Sequence, residues 1–191
     1  MQITSLTHAE RAILANQYKI FSLLDRKNAK VHLINAEIFE NGYTGLYEEV
    51  LENVSEETPI EICEETNDIL DMFRHIHKAL HDLDKKERHA LNLDSIRFDG
   101  FDADTDDHYY YAKFMTKKKH YYEHFSSVKM NSESTASIIR YRRMLPVFKS
   151  IMQKPENDFG KKELKELIKA VHQAVVSKNH ELINGDAQSN I

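Results

Sequence analysis

P-I-E-I-C-E-E-T-N-D-I-L-D-M-F-R-H-I-H-K-A-L-H-D-L, residues 59–83, is the stretch that decides the fold. At 100° per residue, Ile62, Thr66, Ile69, Leu70, Phe73, Ile76 and Leu80 gather on one side, with Asp68, Asp71, Arg74, His75 and Lys78 opposite. A strand would need alternation of period two, which is absent. Pro59 stands where a first helical turn accepts a residue without an N–H. The spacing predicts a long helix that serves as the central packing element.

Toward the N-terminus, Thr7 and Glu10 have capping-box spacing and open a helix over 7–25. Ile13, Leu14, Phe21 and Leu24 share a face of it, and Gln17 falls in their middle. Asn28 stands at the start of a second helix carrying Val31, Ile34, Ile38 and Phe39, which Asn41-Gly42 ends because Gly tolerates the left-handed conformation. Residues 44–53 read as a weaker, shorter helix. Toward the C-terminus, 84–94 is a charged connection or ragged helix end, and Ile96 to Asp102 a short extended piece. Asp104 or Thr105 is placed to cap a helix of roughly 106–125 with Tyr110, Tyr111, Phe114, Tyr121 and Phe125 on one face. Ile138, Tyr141, Leu145, Phe148 and Met152 mark another helix, with Arg140 and Arg143 pointing away and Pro146 predicting a kink or break. A final stripe of Leu164, Leu167, Ile168, Val171 and Val175 runs through 160–178. The class is therefore all-α: a single-domain bundle of about six to seven helices over residues 1–180, with little or no β-structure and a flexible tail over 181–191.

Bulk properties narrow the function. The 191 residues carry a net charge of −5 with only five Gly and three Pro, which favours helix and gives no global attraction to phosphate backbones. Nucleic acid is an unfavoured partner. The single cysteine, Cys63, excludes an internal disulfide and fits a reducing compartment. With no apolar run approaching 18 residues and no apolar leader, the expectation is a cytoplasmic protein without a membrane partner.

L-A-N-Q-Y-K (Leu14 to Lys19), D-I-L-D-M-F (Asp68 to Phe73), G-F-D-A (Gly100 to Ala103), Phe114-Met115 and Y-R-R-M-L (Tyr141 to Leu145) occur in this order. Together they resemble the YfbU-like family of bacterial proteins, over roughly residues 7–170. The resemblance implies a mainly helical, functionally uncharacterised domain. Some members join it to a helix-turn-helix domain, which implies ligand binding in a regulator; it supplies no catalytic residue. The chain departs from the family pattern between Gly45 and Pro59, before Ile96 and at Pro146.

Each chemical motif has a plainer structural reading. His120-Tyr121-Tyr122-Glu123-His124 matches H-x-x-E-H, in which two histidines one turn apart hold zinc and Glu activates water. The helical wheel turns Glu123 toward solvent, so a wet helix surface accounts for it and a zinc-dependent hydrolase is the alternative function. Asp102, Asp104 and Asp106 begin like a calcium loop, but Asp107 stands where Gly is needed and Lys113 where a bidentate Glu belongs. Helix capping explains these acids. Lys117, Lys118 and Lys119 among Tyr111, Tyr121 and Tyr122 suggest nucleic-acid binding as a further alternative; a snorkelling stem is the plainer account of Lys118. His77 falls on the apolar face of the long helix, as a hydrogen-bonded core histidine or a ligand contact.

No catalytic residue, metal ligand or cofactor is assigned from these patterns. The reading is a non-enzymatic ligand- or partner-binding domain with a regulatory role. Polar groups that interrupt apolar stripes, Gln17, His77, Tyr111 and Lys118, are its candidate contacts for a small anionic ligand or protein partner. The abundance of amphipathic helices is compatible with a homodimer.

Overall fold

The computed structural model describes residues 5–117, 125, 136–154 and 159–172. Among these every regular element is helical and no strand occurs. The chain is all-α, and its contacts gather into two compact units, 1–57 and 58–191.

The first unit is a helical hairpin with a short appendage. Helix α1 (His8–Leu24) begins with the capping box: Thr7 Oγ1 accepts from Glu10 N–H, and Glu10 reaches back to the Thr7 N–H at 2.7 Å. Helix α2 (Ala29–Asn41) packs along it and ends at Gly42, whose φ of 72° is the left-handed conformation that closes a helix. Asn28 precedes α2 without capping it, because its side chain donates to Asp25 instead. The weak 44–53 helix is a 3₁₀ turn (Thr44–Leu46) leading into one turn of α-helix, α3 (Tyr47–Val50). Ala15, Ile38, Phe39 and Tyr47 form the interior, with Phe39 stacked between Tyr18 and Tyr47.

The orientation of α1 departs from the expected one. Ala15, Tyr18 and Leu14 face the interior, whereas Ile13, Gln17, Phe21 and Leu24 are exposed. Apolar side chains lie around most of this helix, and the small Ala15 together with the Tyr18–Phe39 stack decides which side meets α2. Gln17 is therefore not a core amide.

The second unit is organised on α4 (Ile60–Asp82), as the 59–83 pattern requires. Thr66, Ile69, Leu70, Met72, Phe73, Ile76 and Ala79 are buried along it. The charged connector holds a helix of its own, α5 (Lys85–His89), with a second capping box between Asp84 and Glu87. A 3₁₀ turn (Leu93–Ile96) then leads through Phe98, Gly100 and Phe101, all buried, to α6 (His108–Lys117). Asp102 and Asp106 accept loop N–H groups, from Asp104 and Asp102 respectively, so the acids order the loop before the helix begins.

Helix α6 is rotated from expectation. His108, Ala112 and Thr116 are buried, with Tyr109 and Met115 packed beside them, while Tyr110 and Phe114 face water. Small Ala112 and Thr116 let α6 approach α4 closely, and Thr116 satisfies its hydroxyl on the Ala112 carbonyl. Helix α7 (Ala136–Met152) continues through Pro146 without a break. Pro146 and Arg142, whose carbonyl loses its donor there, are both exposed residues of the helix. Arg140, expected to point outward, is half-buried and bonded to the 97–99 segment. The last described helix, α8, covers 161–172 and buries Leu164 and Leu167.

Candidate functional site

Two polar clusters stand on this second framework. One centres on Tyr141, which is fully buried in α7 with its ring against Phe73, Phe98 and Phe101. Its hydroxyl accepts from the Asp99 N–H at 2.8 Å and donates to the Gly100 carbonyl at 3.1 Å. Burial pushes the phenol up to about 12, which keeps the donor protonated. Arg140 and Arg97 both hold the Asp99 carboxylate. Burial raises the Asp99 pKa, but these charge-assisted bonds outweigh it and bring the group below the usual carboxylate range. This cluster clamps the 97–101 segment onto α7, and its contacts are structural.

The other cluster opens to solvent. Glu61, Glu64, Glu65 and Asp68 on α4 and Arg142 and Lys149 on α7 surround a cavity of about 460 Å³ floored by Ile62 and Leu145. On α4, Glu61, Glu65 and Asp68 recur at helical spacing and so share a face. Arg142 donates two bonds to Glu65, each 2.8 Å long. Behind them, His108 lies stacked on Phe101 and places Nε2 2.7 Å from the same carboxylate. These bonds carry Glu65 down to about 2, so it is ionised across the physiological range. The His108 ring, only 4% exposed, leaves Nδ1 buried without a hydrogen-bond partner among the described residues. Lys149 pairs with Asp68. The walls thus carry one two-pronged ion pair, Arg142–Glu65, backed by the buried His108, and one ion pair open to water, Lys149–Asp68.

The candidate contacts named from sequence do not converge. Gln17 lies exposed on α1 in the first unit. His77 is exposed as well, since it falls about a quarter-turn from the buried Ile76; His75 is the histidine that turns inward, against Phe148 and Phe159. Tyr111 is half-buried, and its hydroxyl accepts from Asn67 at 3.3 Å, joining α6 to α4. Lys118, and with it the His120, Glu123 and His124 stretch, lies outside the described residues. Among the described residues no group of three or more His, Cys, Asp or Glu side chains is placed to hold a metal ion. No described helix is long and apolar enough to cross a membrane.

The Glu65–His108–Arg142 network was missed from sequence because its members are separated by 43 and 77 positions. The only local signal was the acidic spacing at the start of α4.

Three of the five segments quoted for their resemblance meet at Tyr141. Phe73 closes D-I-L-D-M-F, Gly100 and Phe101 open G-F-D-A, and Tyr141 opens Y-R-R-M-L; the first touches Tyr141 by its ring and the second by both ring and hydrogen bond. A family model for the YfbU domain matches residues 4–170. That span takes in most of the chain and segments of both units, and the chain belongs to the YfbU family.

Proposed function

We propose that this chain is a non-enzymatic, regulatory binding domain that uses the α4–α7 groove to take a ligand or partner segment bearing a positive charge beside an apolar group. The observation that carries this reading is the uneven pairing of the groove's charges. Glu65 and Asp68 are matched by Arg142 and Lys149, while Glu61 and Glu64 have no ion-pair or hydrogen-bond partner among the described residues. An ammonium or guanidinium entering there meets two unmatched carboxylates, and Ile62 and Leu145 offer apolar contact beneath it. The small anionic ligand expected from Lys118 is not the chemistry of these walls. The regulatory part of the reading leans on what the family resemblance implies.

Native mass spectrometry of the full chain purified from its own host tests the proposal, with a Glu61→Gln/Glu64→Gln variant alongside. The expected result is a retained mass on the wild type that the variant loses, together with a melting-temperature rise in millimolar spermidine or arginine amide confined to the wild type. A bare chain in both proteins, with no melting shift from either amine, overturns the reading.

A further inference from the structure

Helix α6 carries exposed aromatic rings and lysines on one face. At 100° per residue, Tyr110, Lys113, Phe114 and Lys117 fall within about 100° of its circumference, on the far side from the buried His108, Ala112 and Thr116. All four are exposed, Tyr110 by 71% and Phe114 by 47%. A ring left in water forfeits the burial that its area would otherwise gain, so two on one helical face call for a reason. Along the axis the order is ring, cation, ring, cation, with about 6 Å between the two rings and the same between the two lysines. Tyr109 braces the start of this row. Half-buried against the core, it meets the Tyr110 ring edge-on at 5.0 Å and holds Lys113 Nζ 5.4 Å from its own ring centroid. Neither lysine has a carboxylate partner among the described residues. The acids Asp106 and Asp107 stand before the helix begins, and Asp106 is bound to the Asp102 N–H.

We propose that this face of α6 binds single-stranded nucleic acid, with bases stacked on Tyr110 and Phe114 and phosphates held by Lys113 and Lys117. The alternation selects this occupant. A polynucleotide presents a flat π-face and an anion by turns, and a strand with unpaired bases leaves those faces free to stack on aromatic side chains. An acidic peptide matches the lysines but has no need of the rings. A bilayer surface calls for aliphatic side chains to bury, and this face has none. The overall charge of −5 gives no long-range attraction, so binding rests on these local contacts and is weak, on the order of 10 μM.

Fluorescence anisotropy of a labelled oligothymidylate of about 15 nucleotides, titrated with the full chain, tests the proposal. The wild type is expected to bind at low salt, with a double-logarithmic salt slope of about −1.4 for two phosphate contacts. Tyr110→Leu/Phe114→Leu keeps apolar bulk and removes both π-faces; it is expected to weaken binding about 10-fold or more at unchanged helical content, while Tyr110→Phe leaves binding intact. Lys113→Gln/Lys117→Gln is expected to weaken binding and flatten the slope. A wild type that leaves the oligonucleotide free at about 100 μM chain overturns the proposal. So does a duplex of the same length bound as tightly, a leucine variant that binds like the wild type, or capture on phosphatidylglycerol vesicles in place of the oligonucleotide. Should the leucine variant lose helical content, the lysine variant and the duplex comparison still decide. None of these four residues lines the α4–α7 groove, so amine binding and strand binding succeed or fail separately.

Discussion

Removing a single oxygen, in Tyr141→Phe, isolates the clamp that holds the 97–101 segment. The Phe73, Phe98 and Phe101 ring contacts survive the change, so the loss is confined to the hydroxyl. Two backbone groups then lose their partner at once: the Asp99 N–H, bonded at 2.8 Å, and the Gly100 carbonyl, bonded at 3.1 Å and buried. An unsatisfied buried polar group costs about 1–3 kcal/mol, and these two are neighbours in sequence that cannot bond each other, so the expected loss is about 2–3 kcal/mol. For a chain of this size that lowers the melting temperature by roughly 4–12 °C, and the urea midpoint by about 1 M. Equilibrium urea unfolding at pH 7, followed by circular dichroism, is the assay, with Tyr110→Phe as control because that ring is 71% exposed and bonded to nothing that the phenol fixes. With the phenol displaced upward to about 12, the difference should also stay constant up to pH 9. A Tyr141→Phe protein within 0.5 kcal/mol of wild type at unchanged slope would refute the argument that this hydroxyl, and not the ring, secures the segment.

Two further substitutions test other parts of the structure. Because hydrogen bonds from Arg142 and His108 hold Glu65 near 2 in the folded chain against an ordinary 4.5, its carboxylate contributes stability that is complete above the ordinary value and fades as pH falls toward 2. Glu65→Gln should therefore be less stable than wild type by about 1–2 kcal/mol at pH 7, after allowance for the partly exposed Arg142, and the gap should close between pH 4.5 and 2. A gap of constant size through that window would remove the linkage. Gly42→Ala places a Cβ 2.5 Å from Arg11 Nη1 on a backbone with φ of +72°, so Arg11 must leave the Phe39 and Glu40 carbonyls to which it donates. We expect a loss of about 1–2 kcal/mol, smaller when made in an Arg11→Met background; strict additivity of the two changes would show that only the backbone conformation matters.

Residues 59–83 show how far periodicity carries. The apolar residues read from them line the face buried in α4, because a long helix with a single apolar side has one way to hide it, although His75 turns inward and His77 outward against expectation. Capping signals behaved similarly: Thr7 with Glu10 starts α1, and Gly42 ends α2, since both act within one turn of the chain. The D-K-K-E sequence of Asp84 to Glu87 carries the same signal, and it starts the separate helix α5 where the charge pattern alone suggests a connection or a ragged helix end. The candidate site was scarcely legible. Of the four residues singled out, Gln17 and His77 sit at the surface and Tyr111 ties α6 to α4, while Lys118 lies outside the described residues.

Local chemistry by itself thus determined the helical class, most helix starts and stops, the central place of α4 and membership of a family whose motifs are short and ordered. Tertiary structure alone decided which side of α1 and α6 turns inward, because each carries apolar or aromatic residues around much of its circumference and the choice rests on where Ala15, Ala112 and Thr116 permit close approach. It also decided the acidic groove and the Glu65–His108–Arg142 network. Charges 43 and 77 positions apart leave no periodic trace in a sequence; only the packing of α6 and α7 on α4 brings them within hydrogen-bonding reach.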